Sequence, residues 1–251
     1  MPYPTRAILT GHTRGLGAAI AAQLLAQDIE VLGLSRTANA GLAARHSGKL
    51  SQVELDLADL SALADWLAGD TLIRFMDGAQ QVLLVNNAGV LAPVGGLAAQ
   101  PPAQVARAVN VNVAAPLMLA AALAECAARA GGQAPDTRIV HVSSGAARNA
   151  YPGWSIYCAT KAALDQHARA VALDGSPSLL IGSVAPGVID TDMQAEIRGT
   201  GLEHFPLRER FDALKRDGQL ATPEEAARKL VQYLLSDTFG SHPTADVREL
   251  P

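Results

Sequence analysis

Cysteine is nearly absent from this chain. Cys126 and Cys158 are the two in 251 residues, widely separated in sequence. That excludes a disulfide framework and a cysteine metal cluster. Of the six histidines, His12, His141, His167, His204 and His242 show no ligand spacing either, so no metal site is expected. Positive charge is also scarce. The formal net charge is −4 and no basic stripe occurs, which argues against nucleic acid as a partner. No basic segment followed by an apolar stretch opens the chain, where Met1-Pro2-Tyr3-Pro4 runs straight toward a strand. No signal peptide is read there. Polar residues interrupt the Ala-rich stretches before membrane-spanning length. Repeats, low-complexity linkers and internal boundaries are lacking, so residues 1–251 read as one domain of a soluble, cytoplasmic protein.

What is present is apolar. Hydrophobic residues make up 49% and charged residues 18% of the chain, enough for one sizeable core and too apolar for disorder. Strand-like and helix-like stretches alternate. Short apolar strands are read at Thr5 to Leu9, Glu30 to Leu34, Gln52 to Leu55, Gln81 to Val85, Arg138 to Val142 and Leu179 to Val184. Helices are read at Ala18–Ala26, 38–46, 60–67, 102–113, 115–129 and 157–174, with a last one from Pro223 to about Leu235. Thr222-Pro223-Glu224-Glu225 opens that last helix with a cap, a first-turn proline and acids. The pattern predicts an α/β fold: a doubly wound parallel sheet with helices on both faces, its ligands beyond the C-terminal strand ends. The least regular segment, 189–219, reads as a lid.

The strand ends carry the polar residues. Thr10-Gly11-His12-Thr13-Arg14-Gly15-Leu16-Gly17 follows the first strand and opens a helix. Glycines there let backbone approach a phosphate, and the helix supplies free N–H groups and a positive dipole end. The turn lacks the Lys-Ser/Thr of a P-loop, so nucleotide hydrolysis is not suggested. Ser35-Arg36 follows the second strand, Asp56-Leu57 the third, Asn86-Asn87-Ala88-Gly89 the fourth and Ser143-Ser144 the fifth. Pro186-Gly187-Val188-Ile189-Asp190-Thr191 follows the sixth. Tyr157 and Lys161 stand one helical turn apart on one face. A fixed ammonium beside a phenol is expected to bring its pKa down toward working pH.

Thr10-Gly11-x-x-x-Gly15-x-Gly17, Asn86-Asn87-Ala88-Gly89, Ser144 and Tyr157-x-x-x-Lys161 stand in the order and spacing of the classical short-chain dehydrogenases/reductases. The chain resembles that family over nearly its whole length. The resemblance implies a nicotinamide cofactor and hydride transfer between it and a carbonyl or alcohol. It makes Tyr157 the proton donor, Lys161 the residue that lowers the tyrosine pKa and holds the nicotinamide ribose, and Ser144 the hydroxyl on the substrate oxygen. Ser143 reads as structural. Asn112 matches the asparagine that positions a water near Lys161, with Asn110 as its rival. Gly11, Thr13, Arg14, Gly15, Leu16 and Gly17 would cradle the pyrophosphate. Asp56 and Leu57 would flank the adenine, Asn86 to Gly89 would lie along the cofactor, and Pro186, Gly187, Ile189 and Thr191 would meet the nicotinamide end.

An NAD site carries an acid at the end of the second strand. Ser35 stands at that position, with Arg36 beside it and Arg14 nearby, which suits the 2′-phosphate of NADP(H). Gly153-Trp154-Ser155-Ile156-Tyr157-Cys158-Ala159-Thr160-Lys161 is similar to the corresponding segment of sepiapterin reductases and bacterial diketone (benzil) reductases. Trp154 fits either a wall of the substrate pocket or a packed loop. Asp246 fits either a grip on a pterin or an exposed tail carboxylate, in a C-terminus that lacks the family's strand followed by Asp-Gly-Gly. Cys158 reads as packing and His12 as a turn residue facing solvent or cofactor. The expected activity is NADPH-dependent reduction of a small-molecule ketone by a homodimer or homotetramer. A non-catalytic dinucleotide sensor and an NAD-dependent alcohol dehydrogenase are the alternatives.

Overall fold

The computed structural model describes residues 4–129 and 134–250. Met1 to Tyr3, read above as leading into the first strand, lie outside them. Among the described residues the chain runs β1 (Thr5–Thr10), α1 (Gly15–Ala26), β2 (Glu30–Ser35), α2 (Ala40–Arg45), β3 (Leu50–Glu54), α3 (Leu60–Ala68), α4 (Thr71–Met76) and β4 (Gln81–Asn86). Then come α5 (Pro102–Val109), α6 (Ala115–Arg129), β5 (Asp136–Val142), α7 (Ser155–Leu173), β6 (Leu179–Ala185), α8 (Asp192–Gly199), α9 (Arg208–Arg216), α10 (Pro223–Leu235) and β7 (Thr244–Asp246). The strands form one sheet in the order β3-β2-β1-β4-β5-β6-β7, every pairing parallel. The order reverses at β1, and the crevice between the C-terminal ends of β1 and β4 is where such a sheet takes its ligand.

Alternate residues of each central strand feed opposite faces. Leu9, Leu83, Val85 and Val140 pack with Ile20 and Leu24 of α1 and Leu230, Val231 and Leu234 of α10. Ile8, Leu84 and Ile139 pack with Leu63 of α3 and Leu119 and Leu123 of α6. Such strands are buried on both sides, which is why β4 is apolar from Val82 to Val85. The capping box read at Thr222 is present: the Thr222 hydroxyl accepts from the Glu225 amide at 3.1 Å and the Glu225 carboxylate accepts from the Thr222 amide at 3.0 Å.

Several expectations need correction. The two helices read at 102–113 and 115–129 are one continuous helix, because Asn110–Ala114 keeps the chain helical as a π-helical stretch. The 28-residue helix Pro102–Arg129 is therefore long and apolar enough, by length and composition, to cross a membrane. It is a helix of the core: Ala115, Leu119, Ala120 and Leu123 sit against the sheet. The lid contains two helices, α8 and α9. The C-terminus does form a strand, β7, paired with β6 through Ser183–Thr244, Val184–Ala245 and Ala185–Asp246. His12 faces neither solvent nor the cavity. Its ring is fully buried over Gly33, where a Cβ would come within 2.5 Å of it, and it bonds the Gln52 side-chain oxygen at 2.7 Å.

Candidate active site

A cavity of about 1180 Å³ opens along the C-terminal ends of the strands. Its first end is built by the glycine turn. Gly11 and Gly15 adopt φ of +71° and +51°, a region that favours glycine. Gly17 packs so tightly against the turn that a Cβ would lie 1.9 Å from the Gly11 carbonyl oxygen. The cap residue of α1, Arg14, makes no side-chain cap bond, so the first amides of that helix are left for an anion. Thr13, Leu16, Ser35, Arg36, Asp56 and Leu57 line this end too. Arg14 reaches the Asp192 carboxylate at 2.7 Å across an exposed surface. Asp56 accepts from Arg107 at 3.2 Å and from the Ala58 amide at 3.0 Å. Although burial works against it, those bonds hold the Asp56 carboxyl below its usual range.

The middle of the cavity is fixed by Thr10. Its hydroxyl accepts from the amides of Asn87 and Ala88, both at 3.0 Å, while the Asn87 side chain donates to the Thr10 and Gly11 carbonyls. Asn87, Ala88 and Gly89 line the wall. Asn86 does not. It turns into the interior, donating to the Pro116 carbonyl at 3.3 Å and lying 3.1 Å from the His141 ring.

Ser144, Tyr157, Lys161 and Trp154 line the other end, with Pro186, Gly187, Ile189 and Thr191 between the two. Tyr157 is buried and hydrogen-bonded to Ser144. Burial pushes its pKa up to about 12, against the effect of Ser144. The expected fall toward neutrality is therefore reversed: Lys161 directs Nζ to the Val142 carbonyl at 2.8 Å and sits 5.7 Å from the phenol ring centre. Burial brings Lys161 down to about 8, with Asp165 opposing it.

Asn112 lies in the π-helical stretch just behind the wall. Its side chain accepts from the Val90 amide and donates to the Val90 carbonyl, both at 2.8 Å, and donates to Thr160 at 3.2 Å. A Cβ on Gly89 would meet both Asn112 Oδ1, at 3.4 Å, and Lys161 Nζ, at 3.6 Å, so both groups border Gly89. Asn110, its rival, instead donates to the Ala58 carbonyl.

Trp154 fills both of its readings. It lines the cavity and also stacks on Phe205 at 4.6 Å, edge-on to Tyr157 and tilted against Phe211 of α9. Asp246 is not an exposed tail group. It is 5% exposed at the end of β7, faces the cavity, and is gripped by Arg248 through Nε at 2.9 Å and a terminal nitrogen at 2.6 Å. Burial raises its pKa, but the Arg248 bonds outweigh that and lower it. Among the described residues no group of His, Cys, Asp or Glu is arranged to hold a metal.

Sequence reading named Thr10 in the glycine motif without giving it a role, and passed over Arg107 and Asp165. Thr10 opens the glycine motif and Asp165 continues the Tyr157–Lys161 face by one turn, so both had local signals. Arg107 had none, because its partner Asp56 is far away in sequence.

A family model described as short chain dehydrogenase matches residues 5–201. The benzil reductase ((S)-benzoin forming) of Bacillus cereus is 34% identical over 238 residues, covering 92% of this chain and 94% of its own. The sepiapterin reductase of Meriones unguiculatus is 34% identical over 246 residues, covering 93% and 92%. Among solved structures, a short-chain dehydrogenase/reductase from Burkholderia vietnamiensis is 55% identical and covers 100% of both chains with a TM-score of 0.71.

Proposed function

Given that this chain belongs to the short-chain dehydrogenase family, an oxidoreductase family that binds nicotinamide dinucleotides, we propose that it is a carbonyl reductase using NADPH, with a 1,2-diketone or a pterin-type side-chain carbonyl as substrate. The observation that carries this reading is the convergence of Ser144, Tyr157 and Lys161 at one end of a cavity whose other end is the glycine turn. The residues present fit the cofactor. Uncapped amides at the start of α1 suit a pyrophosphate. Arg14 and Arg36 suit a 2′-phosphate, and Ser35 stands where an NAD site carries an acid. When bound, the reduced nicotinamide supplies the hydride.

The chain's own residues supply the rest. Ser144 and Tyr157 direct two hydroxyls at one point, where a carbonyl oxygen gains negative charge as it is reduced. Donors aimed there stabilise the transition state more than the ground state. Tyr157, held protonated by burial, gives its proton to that oxygen. Lys161 contributes positive field, and Asn112 holds the Val90 backbone and Thr160 beside it. Ala146, Trp154, Val188, Leu207 and Phe211 form an apolar wall, which suits a flat conjugated substrate better than a sugar. The curated relatives, one a benzil reductase and one a sepiapterin reductase, support the same substrate class.

A cofactor-oxidation screen over diketones, pterins and simple ketones, run beside Tyr157→Phe, tests the reading. The variant should bind NADPH normally and lose about 10²–10⁴-fold in kcat. Near-normal turnover by Tyr157→Phe would remove the mechanism. NADPH binding with no turnover of any carbonyl would instead favour the sensor.

A further inference from the structure

Asp165 carries a buried carboxylate that the reaction as derived does not use. It lies on α7 one turn beyond Lys161, which lies one turn beyond Tyr157, so the three share a face. Its side chain is 2% exposed. One oxygen accepts from the Ser143 hydroxyl at 2.6 Å and the Ser183 hydroxyl at 2.8 Å; the other accepts from Arg148 Nε at 3.0 Å. Arg148 also donates to the Ala245 carbonyl of β7 at 3.1 Å. One carboxylate thus ties α7 to the rim of β5, β6 and β7, next to Ser144. A charge so deep in a fold persists only when paired and hydrogen-bonded, and this one is both. Among the described residues, Lys161 has only the Val142 backbone carbonyl as a side-chain hydrogen-bond partner.

We propose that Asp165 is a positioning residue for the reaction: it keeps Lys161 in its charged form at neutral pH and fixes the Ser143–Ser144 rim against α7. The proposal rests on the reading of Lys161 as the cation of the active site. The electrostatics agree in sign, since Asp165 opposes the burial that drives Lys161 toward neutrality. The other groups around this pair are Tyr157 on α7, His141 on β5, which burial keeps neutral, and Arg148, which in turn acts on Asp246 beside Arg248. Arg148 competes with Lys161 for the field of Asp165.

That competition supplies opposite tests. The chain has four lysines and Lys161 is the buried one, so ¹³C labelling at the lysine ε-carbon lets its titration be followed by NMR in the free protein. Asp165→Asn keeps the shape and one acceptor oxygen for the Ser143 and Ser183 hydroxyls, and removes the charge together with the acceptor for Arg148. It should lower the Lys161 midpoint by about one pH unit or more and move the alkaline limit of NADPH binding down with it. Arg148→Gln, at a half-exposed site, should move the midpoint up. Ser183→Ala, which loosens the carboxylate without discharging it, should lower the melting temperature and leave the midpoint in place. An unchanged midpoint in Asp165→Asn overturns the proposal, as does an equal shift in Ser183→Ala. If Asp165→Asn does not fold, Arg148→Gln decides: an upward shift supports the proposal and no shift ends it. No substrate enters the titration, so its failure leaves the reductase reading to be judged by Tyr157→Phe alone.

Discussion

Replacing Gly17 with alanine should damage both the fold and the cofactor site, although the residue is helical. Alanine in place of glycine inside a helix ordinarily gains about 1 kcal/mol. Here the new methyl would sit 1.9 Å from the Gly11 carbonyl oxygen and 2.6 Å from the Asn87 side-chain nitrogen, where real contacts begin near 3.0 Å. Gly11 cannot easily retreat. Its amide donates to the Leu34 carbonyl at 2.8 Å, its carbonyl accepts from Asn87 at 3.2 Å, and its φ is +71°. Overpacking of this kind costs about 1–3 kcal/mol, and the lost Asn87 bond about 1 more. Set against the helix gain, the net loss is about 1–3 kcal/mol in urea denaturation. NADPH affinity by fluorescence titration should fall at least ~10-fold, about 1.4 kcal/mol, because on the proposed reading the displaced turn carries the amides that would meet the pyrophosphate. Gly41→Ala in α2 is the control. Its nearest contacts would be an ordinary 3.7 and 3.9 Å, so it should be neutral or stabilising. A Gly17→Ala protein with undiminished stability and affinity would refute the role given to this turn.

Cofactor choice is tested by the double variant Arg14→Ala, Arg36→Ala. The wild type should prefer NADPH over NADH at least ~10-fold in kcat/KM, and the double variant should lose that preference. The exposed Arg14–Asp192 pair is too weak to hold Arg14 from a phosphate. Acid should unfold the protein partly through His141, whose pKa burial brings down from 6.5 to about 3. The unfolded chain binds the proton first, so the stability from this site is complete above pH 6.5 and lost as pH falls toward 3. The slope is about 1.4 kcal/mol per pH unit in urea denaturation, and His141→Gln should flatten it. Asp246→Ala should raise KM for sepiapterin and leave KM for benzil unchanged; equal effects on both would remove the pterin assignment. Sedimentation should show at least a dimer of the 26.0 kDa chain, packed through α6 and α7; a monomer at micromolar concentration would count against that assembly.

Local signals made most of this molecule legible. The glycine turn, the apolar β4, the Thr222 cap and the Tyr157–Lys161 spacing each lie within a few residues, and each marks its element in the sequence. What escaped depends on distant partners. β7 is three residues long and is a strand only because β6 offers it an edge. That pairing also carries Asp246 into the interior. His12 looked like a turn residue facing solvent or cofactor because the glycine that receives its ring, Gly33, comes from the next strand. The helix looked interrupted at Ala114, yet the Asn110 and Asn112 side chains bond Ala58 and Val90 while the backbone continues as a π-helical stretch. Arg107 and Asp165 gained meaning only from what the fold set against them.

The largest departure from the sequence reading bears on the direction of the reaction. Spacing alone suggested a phenol acidified by the lysine beside it. In the folded chain Tyr157 is buried among Trp154, Ser144 and the lid, its proton held by a pKa near 12, while Lys161 turns to the Val142 carbonyl. A neutral phenol beside a serine hydroxyl can offer donors to a substrate oxygen placed between them. That arrangement receives a carbonyl oxygen and protonates it; an alcohol oxidised at the same place would need a phenolate to take its proton. On the proposed reading, a protonated Tyr157 in the free protein suits the reductive step. The oxidative direction should appear only at alkaline pH, its rate rising about tenfold per unit while Tyr157 titrates. Alcohol oxidation that is fastest near neutrality, with flat pH dependence above it, would contradict a tyrosine held as an acid.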